Sequence, residues 1–175
     1  MPFQENPSTG DCRVCGSLAS LAGLEKAIEL DDAEQIEHAL KRVRLLNSIV
    51  LSIGGVPLIY QGDELGILND HSYLSDEFKR DDSRWVNRPA ITDDAMARAL
   101  EGDGYQNRIH NDLKQMIALR QADTVFGAAQ TGILETYRLI CSLTCVNMTM
   151  VTGYWLFVTL VSTTNPYRYR SVTAR

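Results

Sequence analysis

The residue types most able to do chemistry gather in "GGVPLIYQGDELG", residues 54–66, where a short apolar run ends in Asp63 and Glu64. Adjacent carboxylates suggest acid/base and nucleophilic work on a glycosidic or acyl bond. A retaining glycosidase holds its two carboxyl groups about 5–5.5 Å apart, on opposite sides of the scissile bond. Neighbours on a strand point to opposite faces, so Asp63 and Glu64 flank one bond only if a turn redirects them. The expected role is therefore support: acids at a strand end that hydrogen-bond the following loop. No catalytic residue is assigned.

Other candidate groups are weaker. The cysteines fall as Cys12/Cys15 and Cys141/Cys145, a CxxC and a CxxxC more than a hundred residues apart. The second pair lies in an apolar run without turn residues to shape a zinc knuckle, so no metal is expected. His38 and His110 fall on predicted helices and His71 in a loop. None has a partner at catalytic spacing, and all three are expected to be solvated or locally hydrogen-bonded. No cofactor is expected.

The elements that must position these groups follow from pattern. Residues 6–23, rich in Gly, Ser and Pro, predict a loop with a short helical turn at most. Asp31-Asp32 then caps a helix over 33–53, with Ile36, Ala39, Leu40, Val43, Leu46 and Val50 at three- and four-residue spacing. Acids come early and bases later, as the helix dipole favours. Gly54-Gly55 ends it. "VPLIY" (56–60) is uniformly apolar and predicts a strand buried on both faces of a parallel sheet. Helix, Gly-Gly turn and buried strand make the αβ half of a repeating βα unit, an α/β fold class. A long polar segment, 69–94, carries Tyr73, Phe78 and Trp85, which marks it as functional rather than disordered. Helices are predicted over 93–100 and 107–122, and a β-rich segment begins near 124.

A net charge of −5 gives no electrostatic reason to expect a nucleic-acid partner, which would need a concentrated basic surface. The opening "MPFQENPSTGDC" has no basic start and no apolar stretch, and with unpatterned cysteines it predicts a cytoplasmic setting. The acids are unevenly spread: all 22 lie at or before Glu135, as does every lysine. Residues 139–164 are apolar enough to suggest a membrane helix, but their threonines, Asn147 and Gly153 make a poor one, and no membrane partner is expected. A frame slip near 136–138 accounts for the break instead. Degenerate codons for 141–160, read from the third base, permit "LFAYLREYDDGNRLLVVCNF", a strand, an Asp-Gly turn and a strand. The expectation is that 136–175 is a non-native, frameshifted tail.

"GGVPLIYQGDELGILND", followed by "DDSRW" and "RP", resembles the eighth strand and following loop of the α-amylase superfamily. "PFQENPSTGDCR", "SLASLAGLE" and "LKQMIALRQAD" make residues 2–135 similar to the amylosucrase family of sucrose-using glucosyltransferases. The resemblance implies the C-terminal piece of a (β/α)8 TIM barrel, its last helix–strand–helix, mostly helical as it stands. It divides the chain into 1–30, from the acceptor-side insertion after barrel strand 7; 31–122, barrel; 123–135, the start of a C-terminal β domain; and the tail.

The implied activity is retaining transfer of glucose from sucrose to an α-glucan, with fructose released. The three family carboxylates lie on barrel strands these residues do not include, so the chain alone is expected to be inactive and to fold poorly. Arg84 in "DDSRW" matches the arginine at the floor of the sucrose pocket, whose carboxylate partner comes from the first part of the barrel. Arg13 matches an arginine on the acceptor side, and Gln4 is a candidate for the same region. Sucrose, glucan and a separately encoded N-terminal half are the implied partners. The alternative is a non-enzymatic carbohydrate-binding or membrane-tethered interaction protein.

Overall fold

A computed structural model describes residues 2–3, 6–123, 126, 130–133, 142–148 and 153–159. Helix dominates: α1 (Leu18–Leu21), α2 (Leu24–Glu29), α3 (Ala33–Ser52), α4 (Asp93–Leu100) and α5 (Tyr105–Ala122). Short 3-10 turns occupy Asp63–Leu65, His71–Ser75 and Ser83–Asn87. Strands β1 (Pro2–Phe3) and β2 (Arg13–Val14) pair antiparallel; β3 (Gln130–Ile133), β4 (Ser142–Met148) and β5 (Gly153–Thr159) form an antiparallel sheet in that order.

Contacts divide the chain into two units, residues 1–47 with 59–115 and residues 48–58 with 116–175. In the first, Ala39, Leu40 and Val43 of α3 are buried with Ala19, Ala22, Leu24 and Ile109, and Leu24 is fully enclosed. Burial of this apolar surface is the main stabilising term, at about 25 cal/mol per Å². In the second unit Arg120 donates to the carbonyls of Leu51, Ile53 (2.9 Å) and Gly55 (2.6 Å), groups that the end of α3 leaves without helical partners.

Local chemistry sets the helix ends. Asp32 Oδ1 accepts the Gln35 N–H at 3.0 Å to start α3, and the Thr92 hydroxyl accepts the Ala95 N–H at 3.2 Å to start α4. The 69–94 segment is knit by Asx turns, in which Asp70 accepts from Ser72 (2.8 Å) and Asp82 from Arg84 (3.0 Å). Tyr73 and Val86 are buried beneath these turns, and the Asp70 N–H reaches the Val86 carbonyl at 2.8 Å.

One expectation needs correction. Residues 56–60 are not a strand: they carry no regular structure, and Val56 and Leu58 are 97% and 82% exposed. A parallel strand is made by its neighbours, and no described strand lies beside this run, all the described pairings being antiparallel. No barrel forms among the described residues, although the helical character is as expected. The short helical turn expected within 6–23 is α1, and α2 follows it; with α5 they cover Ile36, Ala39, Leu40 and Val43 of the α3 stripe, while Leu46 and Val50 stay exposed.

No described helix is long and apolar enough to cross a membrane. Much of the 136–175 tail lies outside the described residues. Within it β4 and β5 pair from Ser142↔Thr159 to Met148↔Gly153 in the frame as written.

Candidate functional site

The polar centre of the first unit lies where α1 and α2 meet residues 62–71. Ser17 caps α1, its hydroxyl accepting the Ser20 N–H at 3.3 Å. From the other side Asp63 Oδ1 accepts the Leu18 N–H at 3.1 Å, and Asn69 Oδ1 accepts the Ser17 N–H at 3.0 Å. The Asn69 N–H donates to Ser20 Oγ at 2.9 Å, and its side-chain amide to Glu25 Oε2 at 2.7 Å. Glu25 Oε1 lies 2.9 Å from His71 Nε2. Thus one carboxylate on α2 holds both Asn69 and His71.

Asp63 and Glu64 stand between two left-handed glycines, Gly62 (φ 99°) and Gly66 (φ 62°). A Cβ on Gly66 would meet Ile109 Cδ1 at 2.9 Å, which draws this turn against α5. Burial pushes the Asp63 carboxyl above its ordinary value, the Leu18 hydrogen bond opposes this, and the Glu64 charge adds to it. Glu64 turns back, its Oε2 accepting the Gly62 N–H at 2.8 Å, while its carbonyl lies 3.3 Å from His110 Nδ1. Both carboxylates are therefore engaged by backbone N–H groups.

Arg84 grips its near neighbour. Its Nε and Nη2 donate to the two oxygens of Asp82 at 2.8 and 2.9 Å, a bidentate fork on the surface. That side-chain bond, above all, holds the Asp82 carboxyl below the usual range and Arg84 above its own. Arg13 is exposed on β2, and Gln4 lies outside the described residues. Trp85, next in sequence, has Lys79 Nζ 5.2 Å and Arg88 Cζ 5.6 Å from its ring centre.

Sequence reasoning missed Glu25, Asn69, Ser17 and Ser20. The Ser-x-x-Ser spacing at 17–20 was the available signal, a helix cap whose side chain reaches the third residue on. His71 is exposed, as expected, although its ring also meets Glu25, 46 positions away; His38 differs, its Nδ1 buried with no hydrogen-bond partner. A small space lined by Leu40, Val43, Arg44, Asn47, Arg108, Ile109 and Asp112 has room for about one water. No group of three or more metal-ligating side chains occurs among the described residues. No protein-family model matches the chain.

Proposed function

We propose that residues 2–135 form the C-terminal part of the barrel of a sucrose-dependent, retaining glucosyltransferase of the amylosucrase kind. Their part is to contact sugar and support the site, while the reacting carboxylates come from barrel strands outside these residues. One observation carries the reading: "PFQENPSTGDCR", "GGVPLIYQGDELGILND", "DDSRW" and "LKQMIALRQAD" occur in one order along one chain. The exposure of Val56 and Leu58 supports it, since an apolar run of this kind suits a strand awaiting neighbours on both edges. In this reading Arg84 sits at the donor pocket, Arg13 and Gln4 lie on the acceptor side, and Asp63 and Glu64 brace the strand-to-loop turn.

The test is complementation. A polypeptide supplying the first seven strands of such a barrel is joined to residues 2–135, and fructose release from sucrose is followed. The joined protein should release fructose and lengthen a glucan primer, whereas the 175-residue chain alone should match a buffer blank. A folded but inert joined protein would overturn the reading.

A further inference from the structure

We propose that Cys12 and Cys15 are a redox-active dithiol, which a low-molecular-weight disulfide converts to an internal Cys12–Cys15 disulfide when strand β2 gives way. The proposal stands apart from the glucosyl reading, and its failure would leave that reading untouched.

Three observations converge. The cysteines stand as thiols at the spacing Cys12-Arg13-Val14-Cys15, with Cys12 exposed and Cys15 half-buried. The two residues between them are strand β2, whose pairing among the described residues is Pro2↔Val14 and Phe3↔Arg13. The two ends of this stretch are anchored differently. After Cys15, a Cβ on Gly16 would lie 3.0 Å from Leu21, and the Ser17 N–H is bound to Asn69. Before Cys12, Gly10 (φ 71°) faces open space, and the hydrogen bonds stay within the 6–11 turn, where the Asn6 N–H reaches the Asp11 carbonyl at 2.7 Å.

Three steps of extended chain separate Cα atoms by about 10 Å, while a disulfide needs them within about 7 Å. The bond can therefore form only if 12–15 leaves β1 and folds into a turn, with the exposed Cys12 end moving. The chemistry is two exchanges. The Cys12 thiolate attacks a sulfur of the small disulfide, forming a mixed disulfide and expelling one thiolate. The Cys15 thiolate then attacks the Cys12 sulfur, closing the internal bond and expelling the second. The dithiol is oxidised, the reagent is reduced to two thiols, and the two protons pass to solvent or to those thiolates. A disulfide that displaces native pairing belongs to the easily reduced, regulatory kind. Its ring encloses Arg13, so oxidation would also move that side chain.

The experiment uses the full chain with Cys141→Ser and Cys145→Ser, leaving Cys12 and Cys15 as the only thiols. It is equilibrated with glutathione and glutathione disulfide, quenched in acid and weighed intact. The expected product has lost two hydrogens and carries no adduct. With Cys15→Ser added, the reaction should stop at one glutathione on Cys12. The native chain should also need an oxidising ratio about tenfold higher than the same chain in concentrated urea, because β2 must first be given up. Accumulation of glutathione on both cysteines without an internal bond would overturn the proposal. So would identical equilibria with and without urea.

Discussion

The carboxylate of Asp63 takes the backbone N–H of Leu18 at 3.1 Å and so ties the start of α1 to the turn after residue 62. Asp63→Ala leaves that N–H without its partner and should cost about 1 kcal/mol in urea unfolding. Asp63→Asn keeps an acceptor and removes the burial cost of a charge, so it should match or exceed the parent at neutral pH. Because burial raises the Asp63 carboxyl, the folded state binds more protons than the unfolded chain just above the usual aspartate range. Stability from this group should fall as pH rises from about 4 towards neutrality. That slope should be absent in the asparagine variant, and a slope unchanged by the substitution would rule out Asp63 as its source.

Asn69 joins three elements through one side chain and its own N–H. Asn69→Ala removes the acceptor for Ser17 and the donor to Glu25, a loss of about 1–3 kcal/mol in the unfolding midpoint analysis. Asn69→Asp keeps the acceptor but sets a carboxylate against Glu25. It should destabilise more at neutral pH than in acid, the reverse of what a simple loss of packing would produce.

Arg84 and Asp82 predict behaviour in the joined, seven-strand protein. Arg84→Ala should abolish sucrose turnover, and Arg84→Lys should not restore it, since a point charge does not reproduce a planar fork. Asp82, lowered chiefly by the Arg84 bond, favours the folded fork while it is ionised. That contribution is present above the ordinary aspartate value and is lost as pH falls through the lowered one. Near-normal activity of the alanine variant would take Arg84 out of the site.

Arg13 should divide two reactions in the same joined protein. On the proposed reading, Arg13→Ala should remove an acceptor contact, leave formation of the glucosyl intermediate largely intact, and let water compete. The ratio of hydrolysis to polymer should therefore rise while sucrose consumption holds. Equal losses of both products would assign Arg13 a structural role.

Arg120 should control the end of α3. Arg120→Ala frees the carbonyls of Leu51, Ile53 and Gly55. Amide exchange in the last turn of α3 should quicken while exchange near Leu40 stays slow. Lysine, without the fork, should protect only in part.

Helices α3, α4 and α5 were legible because their signals are local. Asp32 and Thr92 cap their helices from within, and the apolar spacing of α3 needs nothing beyond its own sequence. The ends lie within two residues of expectation, at Ala33–Ser52, Asp93–Leu100 and Tyr105–Ala122. Residues 56–60 were read as a strand because "VPLIY" has the composition of one, but strand character depends on a pairing partner. The turn of α1 was expected within 6–23, but α2 went unread, although Gly23, at φ 92°, makes the corner that separates the two. Of the candidate site, the carboxylates and Arg84 were visible by type. The Glu25–Asn69–His71 linkage was not, because its members lie 44 and 46 positions apart.

The two glycines around Asp63 and Glu64 would leave different marks on a population of random variants. At Gly62 the nearest obstacle is a side-chain tip, Ile67 Cδ1 at 3.3 Å, which can swing aside, and asparagine tolerates the left-handed backbone. At Gly66 an added carbon meets Ile109 Cδ1 at 2.9 Å and the Gln106 backbone at 3.4 Å, and α5 cannot retreat without opening the core around Ile109. Survivors of a selection for folded chain should therefore include Gly62→Asn but hold glycine at 66. A second-site change that shortens residue 109, such as Ile109→Val or Ile109→Ala, should be the commonest companion of any substitution that survives there.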